Sequence, residues 1–598
     1  MGDAMTTQTR TDLPGRVIPI IEQEFDDFET EAAAFLRGER DEAKFIGFRL
    51  KQGCYGQRQP DVQMIRVKLP MGGISAEQLD AFGDVAEDFV PLKKGHITTR
   101  QNIQMHFIPL DLMGPVFRRL AEAGLSSREG CGNVVRNVTA DAYAGINDEE
   151  PFDVTPYAGA YVRYWVRNEI TQLLPRKWKT YFTGRESDRA IAEIHDLAFV
   201  AKVREVDGEK VRGFEVLVGG GLSTMAKHAI VVDEFVPVDD FLMFSESLLR
   251  IFNEADELRK SIHKARIKYL VARVGPEGFR EMVDEYLTQD WTKEERPTWE
   301  ELAFLDDEEA AAPAARADAP TVPDDERAAF ERFVERAVKA QKQDGYHSIE
   351  AHAVRGDLDV RQWHGLADVV RDWGNDRARV TWGQNMLLRW IPTAHLYGVW
   401  RDLNALDLGG DDAGEITDVI SCPGTDSCKL GITSSMGLNS AVRDKLAQLD
   451  IDDPATRRIR IHMSGCPNSC GQHHIANIGF HGASIKQGRR QIPAYHVFLA
   501  GSYKDNDPLR LGTLLKLRIP AKRVPETVER FIGLYQRERQ EGEEFNEFFD
   551  RVGQDPFLAA AQDLTLPPDF GPDTLPMFID WERDGLYVLQ RGEGECAV

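Results

Sequence analysis

Hydrophobic and polar positions along the chain fall into an order of elements that occurs twice. MIRVKLP (residues 64–70) alternates apolar and polar residues, the period-two pattern of a strand with one covered face. Gly72 and Gly73 follow as a turn. SAEQLDAFGDVAEDF then sets its apolar residues on one helical face. It opens on Ser75 with Gln78 three residues on, the signature of a capping box. HITTRQNIQMHFIPL (96–110), rich in β-branched residues, predicts one further strand, and PVFRRLAEAGL a second helix. Together they predict a compact α+β unit.

YHSIEAHAVRGDLDVRQWHGLADVVRDWG (346–374) predicts strand, turn and helix again. RVTWGQNMLLRWIPTAHL (379–396) parallels the earlier strand, with Gln-Asn and Ile-Pro at matched offsets. EVLVGGGL (215–222) parallels HVFLAGSY (496–503), and AEIHDLAFVAKV parallels HIANIGFHGAS upstream of each. The chain therefore reads as two tandem copies of a two-part unit. LDDEEAAAPAARADAPTVPDDE (305–326) has the composition of a solvated linker. The expected divisions are an arm (1–44), first-repeat units at 45–125 and 126–304, the linker, second-repeat units at 327–415 and 416–545, and a tail (546–598). One helix is expected in the arm, around IIEQEFDDFETEAAAFLRG, and Cys596 in the tail reads as an incidental surface thiol.

Charge narrows the class. Against 73 Lys and Arg stand 98 Asp and Glu, a net charge of −25, which argues against a nucleic-acid partner. The N-terminus has no apolar signal core and no stretch is long enough to span a bilayer, so a cytoplasmic protein without membrane contact is expected. Seven cysteines in 598 residues are too few for a disulfide framework.

Four of those cysteines lie close together, in SCPGTDSCKLG and HMSGCPNSCGQ. Five residues separate Cys422 from Cys428, and three separate Cys466 from Cys470. Structural zinc favours a two-residue spacer, because that turn presents both sulfurs to one ion. The wider spacers suit a larger object such as an iron–sulfur cubane. Pro423, Pro467 and the adjacent glycines leave backbone amides free to bond to cluster sulfides. Structural thiols, zinc and disulfides remain as alternatives.

In so acidic a chain, clustered bases stand out. LPRKWKT carries Arg176, Lys177 and Lys179, and in an extended segment Lys177 and Lys179 project to one face. Arg136 in GNVVRNV and Arg66 in MIRVKLP lie in the same repeat. Such a set could bind a multiply charged anion or a carboxylate-rich cofactor. Each base taken singly is equally consistent with a solvated strand face.

At these motifs the chain resembles the sirohaem and iron–sulfur sulfite and nitrite reductases, closest to the ferredoxin-dependent assimilatory sulfite reductases. The likeness covers roughly residues 45–545 and runs through Met-x-Arg-x-x-x-Pro, Thr-x-Arg-Gln-x-x-Gln, Arg-Asn-Val, Leu-Pro-Arg-Lys-x-Lys and Gly-Cys-Pro-Asn-x-Cys in family order. The resemblance implies an α+β fold of two pseudo-symmetric repeats, each a ferredoxin-like half-domain plus a sirohaem- and cluster-binding domain, with the cofactors at the central interface. It implies that Cys422, Cys428, Cys466 and Cys470 bind a 4Fe–4S cluster, Cys470 also bridging to the sirohaem iron. Arg66, Arg136, Lys177 and Lys179 would meet the substrate anion. Thr98, Arg100, Gln104 and Arg176 would hold the sirohaem, and Asn468 stands where the family has Asn.

The resemblance further implies six-electron reduction of sulfite to sulfide, with nitrite reduction to ammonia as the alternative. Lys at position 179 favours sulfite, since two lysines neutralise a dianion better than a monoanion. Tyr55 and Cys131 match positions that carry a side-chain crosslink in some relatives, although Cys54 next door blurs the match. No Gly-x-Gly-x-x-Gly follows a strand, so electrons are expected from a separate protein, ferredoxin or a flavoprotein subunit. The family's common form predicts a monomer. A non-catalytic electron-transfer subunit is the reading from another class, and the retained bases argue against it.

Overall fold

The computed structural model describes residues 17–304, 316–449, 451–503, 508–592, 594 and 595. Cys596 and the first half of the linker lie outside the described residues.

Among the described residues four five-stranded sheets carry the chain, two from each repeat. In the first, Cys54–Gly56, Val62–Lys68, Asn102–Pro109 and Lys94–Ile97 lie side by side, antiparallel. Its counterpart runs Val338–Ala340, Tyr346–Ala351, Met386–Pro392 and Arg377–Val380. Each of these sheets is completed by a strand from the other repeat. Asp357–Asp359 pairs with Lys94–Ile97, and Gly73–Ser75 pairs with Arg377–Val380. The helices Ala76–Asp88 and Val360–Trp373 follow the exchanged strands and pack together, Phe82 against Trp363 at 5.3 Å between ring centroids. One apolar core therefore spans both half-domains. The capping box expected at Ser75 and Gln78 is present, and Asp359 with Gln362 repeats it.

The single strand expected over 96–110 is two strands. Thr98–Gln101 turns between them, and Gln101 takes a left-handed φ of 50° that β-branched neighbours do not signal. Gln384, its equivalent, has φ 68°, and the pairs Phe107 and Trp390 (65° and 59°) and Met71 and Arg355 (55° and 61°) match in the same way. Uncommon backbone at corresponding places is independent support for the repeat.

The other two sheets are mixed. Thr139–Ala140, Thr180–Thr183 and Leu197–Val206 are parallel, then Glu209–Val218 and Ile230–Pro237 turn back. Ile420–Ser421, Ile461–Ser464 and Ile478–Gln487 are parallel in the second repeat, followed by Arg490–Leu499 and Thr513–Pro520. Each has its own core. The second core continues through Phe545, Phe548, Phe549 and Phe557 on the helices Phe545–Val552 and Asp555–Ala561, so the break expected at 545 falls inside a packed unit. The arm helix forms as Gln23–Leu36, with Phe28 edge-on to Phe117. Among the described residues no helix is long and apolar enough to cross a membrane.

Candidate active site

The cysteine loops leave the same end of two neighbouring parallel strands. Ile420–Ser421 delivers Cys422, and Ile461–Ser464 delivers Cys466 through Gly465. A Cβ on Gly465 would stand 2.6 Å from the Gly424 Cα, so only glycine lets the two loops close on each other. The six described cysteines are all free thiols.

Cys422 is pushed up to about 12 by burial and then by Cys470. Burial and Cys470 raise Cys428 as well, and Cys466 is raised by burial, Cys470, Cys422 and Cys428. All four thiols thus lie within one another's field. Yet among the described residues no three His, Cys, Asp or Glu side chains converge as ligands of one ion would. A single zinc needs sulfurs about 4 Å apart. Four thiols that raise one another's protonation in a buried pocket fit a cluster of several irons, whose positive charge would stabilise the thiolates. The amides are placed for it: Gly465 donates to the Cys422 Sγ at 3.3 Å, and backbone N–H groups of Asn468 and of Leu430 and Gly431 reach Cys466 and Cys428.

Cys470 is the exposed one of the four, and it faces the first repeat. The Thr99 hydroxyl donates to the Cys470 carbonyl at 2.8 Å. Lys177 lies within electrostatic reach of the same thiol. The extended segment leading into the strand Thr180–Thr183 explains how. Trp178 is 0% exposed in the core, so Lys177 and Lys179 flank it on the opposite face. The Arg136 amide donates to the Trp178 carbonyl at 2.9 Å, which places a third base beside them.

These cations crowd. Both lysines are partly accessible to water but surrounded by protein. Burial lowers Lys177 to about 8, with Arg176 adding to the effect. Lys179 is lowered further, by burial and then by Arg100, Arg266 and Lys177. Arg100 is pulled down by burial, Asp196 opposes this, and Arg266, Arg136 and Arg66 add repulsion. The Arg100 Nε is buried without a hydrogen-bond partner. Asp196 is already engaged by Arg266 at 2.7 Å and by the Lys179 amide at 3.0 Å. Such a cluster calls for a polyanion, and a tetrapyrrole with eight carboxylates answers that requirement.

The other expected site residues are held by partners within the protein. Gln104 sits directly across the ladder from Arg66, and with its amide turned to satisfy both neighbours its oxygen accepts the Arg66 Nε at 2.9 Å while its nitrogen donates to His106. Gln104 therefore orients Arg66. Arg66 also reaches the Gly130 carbonyl at 3.3 Å and the Cys131 sulfur at 3.4 Å. The Thr98 hydroxyl is committed to its own turn, bonded to Asn102 and the Arg100 amide, and its neighbour Thr99 reaches the cluster loop instead. Arg100 bonds to His195 at 2.6 Å and to the Asn137 carbonyl at 2.8 Å. Arg176 leans on Asn133 at 3.5 Å. Arg266 and Lys268 were not foreseen, although the basic run HKARIK carries both. Lys268 donates to the carbonyls of Leu222 and Met225 at 3.0 Å and so holds the glycine-rich loop.

Tyr55 and Cys131 pack in one small cluster with Leu50 and Met64. Cys54 points to the opposite face of its strand, into the large core, where burial pushes it up to about 12.

A half-site of thiols from the second repeat and a half-site of bases from the first thus meet at Cys470, the arrangement of a redox protein that acts on an anion. The chain belongs to the family described as the nitrite and sulphite reductase 4Fe-4S domain, matched over residues 131–291 and 413–567. The companion ferredoxin-like half domain matches residues 55–123 and 339–406. The family's cofactors are sirohaem and a 4Fe–4S cluster.

Among curated relatives, a "Sulfite reductase [ferredoxin] 1" of Mycolicibacterium paratuberculosis is 27% identical over 489 residues, covering 81% of each chain. A "Ferredoxin--nitrite reductase" of Synechococcus elongatus is 29% identical over 450 residues, covering 73% of this chain and 80% of its own. The solved structure of Mycobacterium tuberculosis NirA shares the fold at a TM-score of 0.71 and 24% identity, covering 89% of this chain and 97% of that one.

Proposed function

We propose that this protein reduces sulfite to sulfide with six electrons taken singly from ferredoxin. The observation that carries the reading is the Thr99 hydroxyl bonded to the Cys470 carbonyl at 2.8 Å, which brings the first repeat, with its bases, to the last thiol of the second. When bound, the cluster and sirohaem supply the electrons and the iron that holds the anion. Cys422, Cys428, Cys466 and Cys470 would hold the cluster, and Arg100, Arg176, Arg266 and Lys179 would face sirohaem carboxylates or the anion.

The chain's own part is charge and protons. Arg66, fixed by Gln104, and Arg136, fixed by the Gly130 and Gly132 carbonyls at 2.9 and 2.8 Å, present guanidinium groups in set directions. They neutralise the incoming dianion. Lys177, lowered to about 8, gives up a proton readily near neutral pH and can be recharged from water. Each oxygen leaves as water, so this relay must operate repeatedly.

Nitrite reduction to ammonia is the competing reading, and the 29% identity to a nitrite reductase supports it. Turnover of sulfite against nitrite with reduced ferredoxin decides between them, and a nitrite kcat/KM above that for sulfite would reject the first. A spectrum without a sirohaem band would leave only an electron-transfer role. The proposed Tyr55–Cys131 crosslink removes two hydrogens, which intact mass detects. We further read the protein as a cytoplasmic monomer, for which light scattering is the direct check of mass.

A further inference from the structure

Residues 578–592, 594 and 595 leave the second repeat and run along the loop that carries Cys428. Asp580 accepts the Ser434 amide at 2.8 Å, Arg583 pairs with Asp426, and the Tyr587 hydroxyl donates to the Ile432 carbonyl at 2.9 Å. The Gly592 amide donates to the Lys429 carbonyl at 2.9 Å. The strap then reaches the first repeat. The Glu595 carboxylate, 4% exposed, accepts from Arg49 at 2.7 and 2.8 Å, from the Gly56 amide at 2.8 Å and from Lys429 at 2.7 Å. Its own amide donates to the Tyr55 hydroxyl at 2.9 Å. A Cβ on Gly56 would meet this carboxylate at 2.3 Å, so the strand edge is shaped to receive it. From within the first repeat, Arg58 donates to the Gly431 carbonyl at 2.6 Å, and its amide to the Ser427 carbonyl at 2.8 Å.

A buried carboxylate shared by two cations from different repeats is costly to assemble and costly to break, so it fixes a geometry. This segment lies beyond the residues matched by the family, which end at 567. We infer that the strap is a latch for the Cys428 loop and that Glu595 is its positioning residue, clamping Lys429 to Arg49 so that the cluster is retained across the junction of the repeats. The inference rests on the reading of the four thiols as cluster ligands.

The test uses the full-length holoenzyme, Glu595→Gln, Glu595→Asp, a chain ending at Gly585, and Cys428→Ser. The readouts are the rate of iron release to a ferrous chelator, the electron paramagnetic resonance lines of the reduced cluster, and the tryptophan unfolding transition. Glu595→Gln is expected to release iron about tenfold faster, the equivalent of one lost charge-assisted hydrogen bond, with shifted cluster lines. Release is measured well below the unfolding transition of each variant so that lost retention is separated from lost stability, Glu595→Asp recovers part of the retention, and the shortened chain behaves as Glu595→Gln. Wild-type release and lines in both Glu595→Gln and the shortened chain, with the cluster lost in Cys428→Ser, overturn the latch alone. A full cluster in Cys428→Ser overturns the ligand reading and the latch together.

Discussion

Gln384 holds Ser421: its side-chain oxygen accepts the Ser421 amide at 3.0 Å, one residue before the Cys422 thiol, while its nitrogen donates to the Ile97 carbonyl at 2.9 Å. Gln101 does the same in the first repeat, gripping both the amide and the carbonyl of Ala140 at 3.0 and 2.8 Å. Both side chains are buried. Removing either leaves backbone groups unsatisfied, at a cost of about 2 kcal/mol. Chemical denaturation should show this loss for Gln101→Ala and Gln384→Ala alike. Iron analysis should show a deficit only in Gln384→Ala, because only that glutamine sets a cysteine loop.

Lys179→Asn removes one of two adjacent lysines, a group that burial and neighbouring cations keep from holding its proton until an anion enters. Sulfite, a dianion, should lose at least about tenfold in kcat/KM, the effect of one lost charge contact, while nitrite changes less. Steady-state kinetics on both anions measure it, and an unchanged ratio would remove Lys179 as the discriminating residue.

Cys470→Ser should cost both cluster iron and turnover by about a hundredfold or more, since a thiolate ligand is lost. Cys54→Ser, in the apolar core, should retain full iron and lose only stability. Metal analysis and turnover on the two variants separate ligand from filler.

His352 is held between Asp412 at 2.7 Å and Asp418 at 3.3 Å. Burial alone would depress it, but Asp418 and Asp412 outweigh burial and raise it from 6.5 to about 10. Because the folded value is the higher one, the stabilisation is complete below pH 6.5 and is lost as pH rises toward 10. Thermal unfolding followed from pH 6 to 10 should show a decline on the order of a few kcal/mol that His352→Gln flattens.

The repeat and the cysteine loops were legible because they are written as long periodic segments and exact residue types. The turn at Thr98–Gln101 was not, since a left-handed Gln between β-branched residues has no compositional mark. That error also hid Thr99, whose contact with Cys470 depends on where the turn falls. Asp357–Asp359 and Gly73–Ser75 are too short to show a period, so their exchange between repeats could only be seen in space. Phe545, Phe548 and Phe549 did carry helical spacing, but the acidic, proline-rich surroundings outweighed them. Arg266 lies far along the chain from the other bases, and its role depends on Asp196.

The exchanged strands also set the order in which the molecule can be made. The first ferredoxin-like sheet keeps a bare edge at Lys94–Ile97 until Asp357–Asp359 has emerged from the ribosome. At roughly 5–20 residues per second that is a wait on the order of tens of seconds, with backbone groups open to stray pairing. Neither repeat is a finished product alone. A gene cut at the linker should yield two halves that dissolve and mature only when they are synthesised in each other's company.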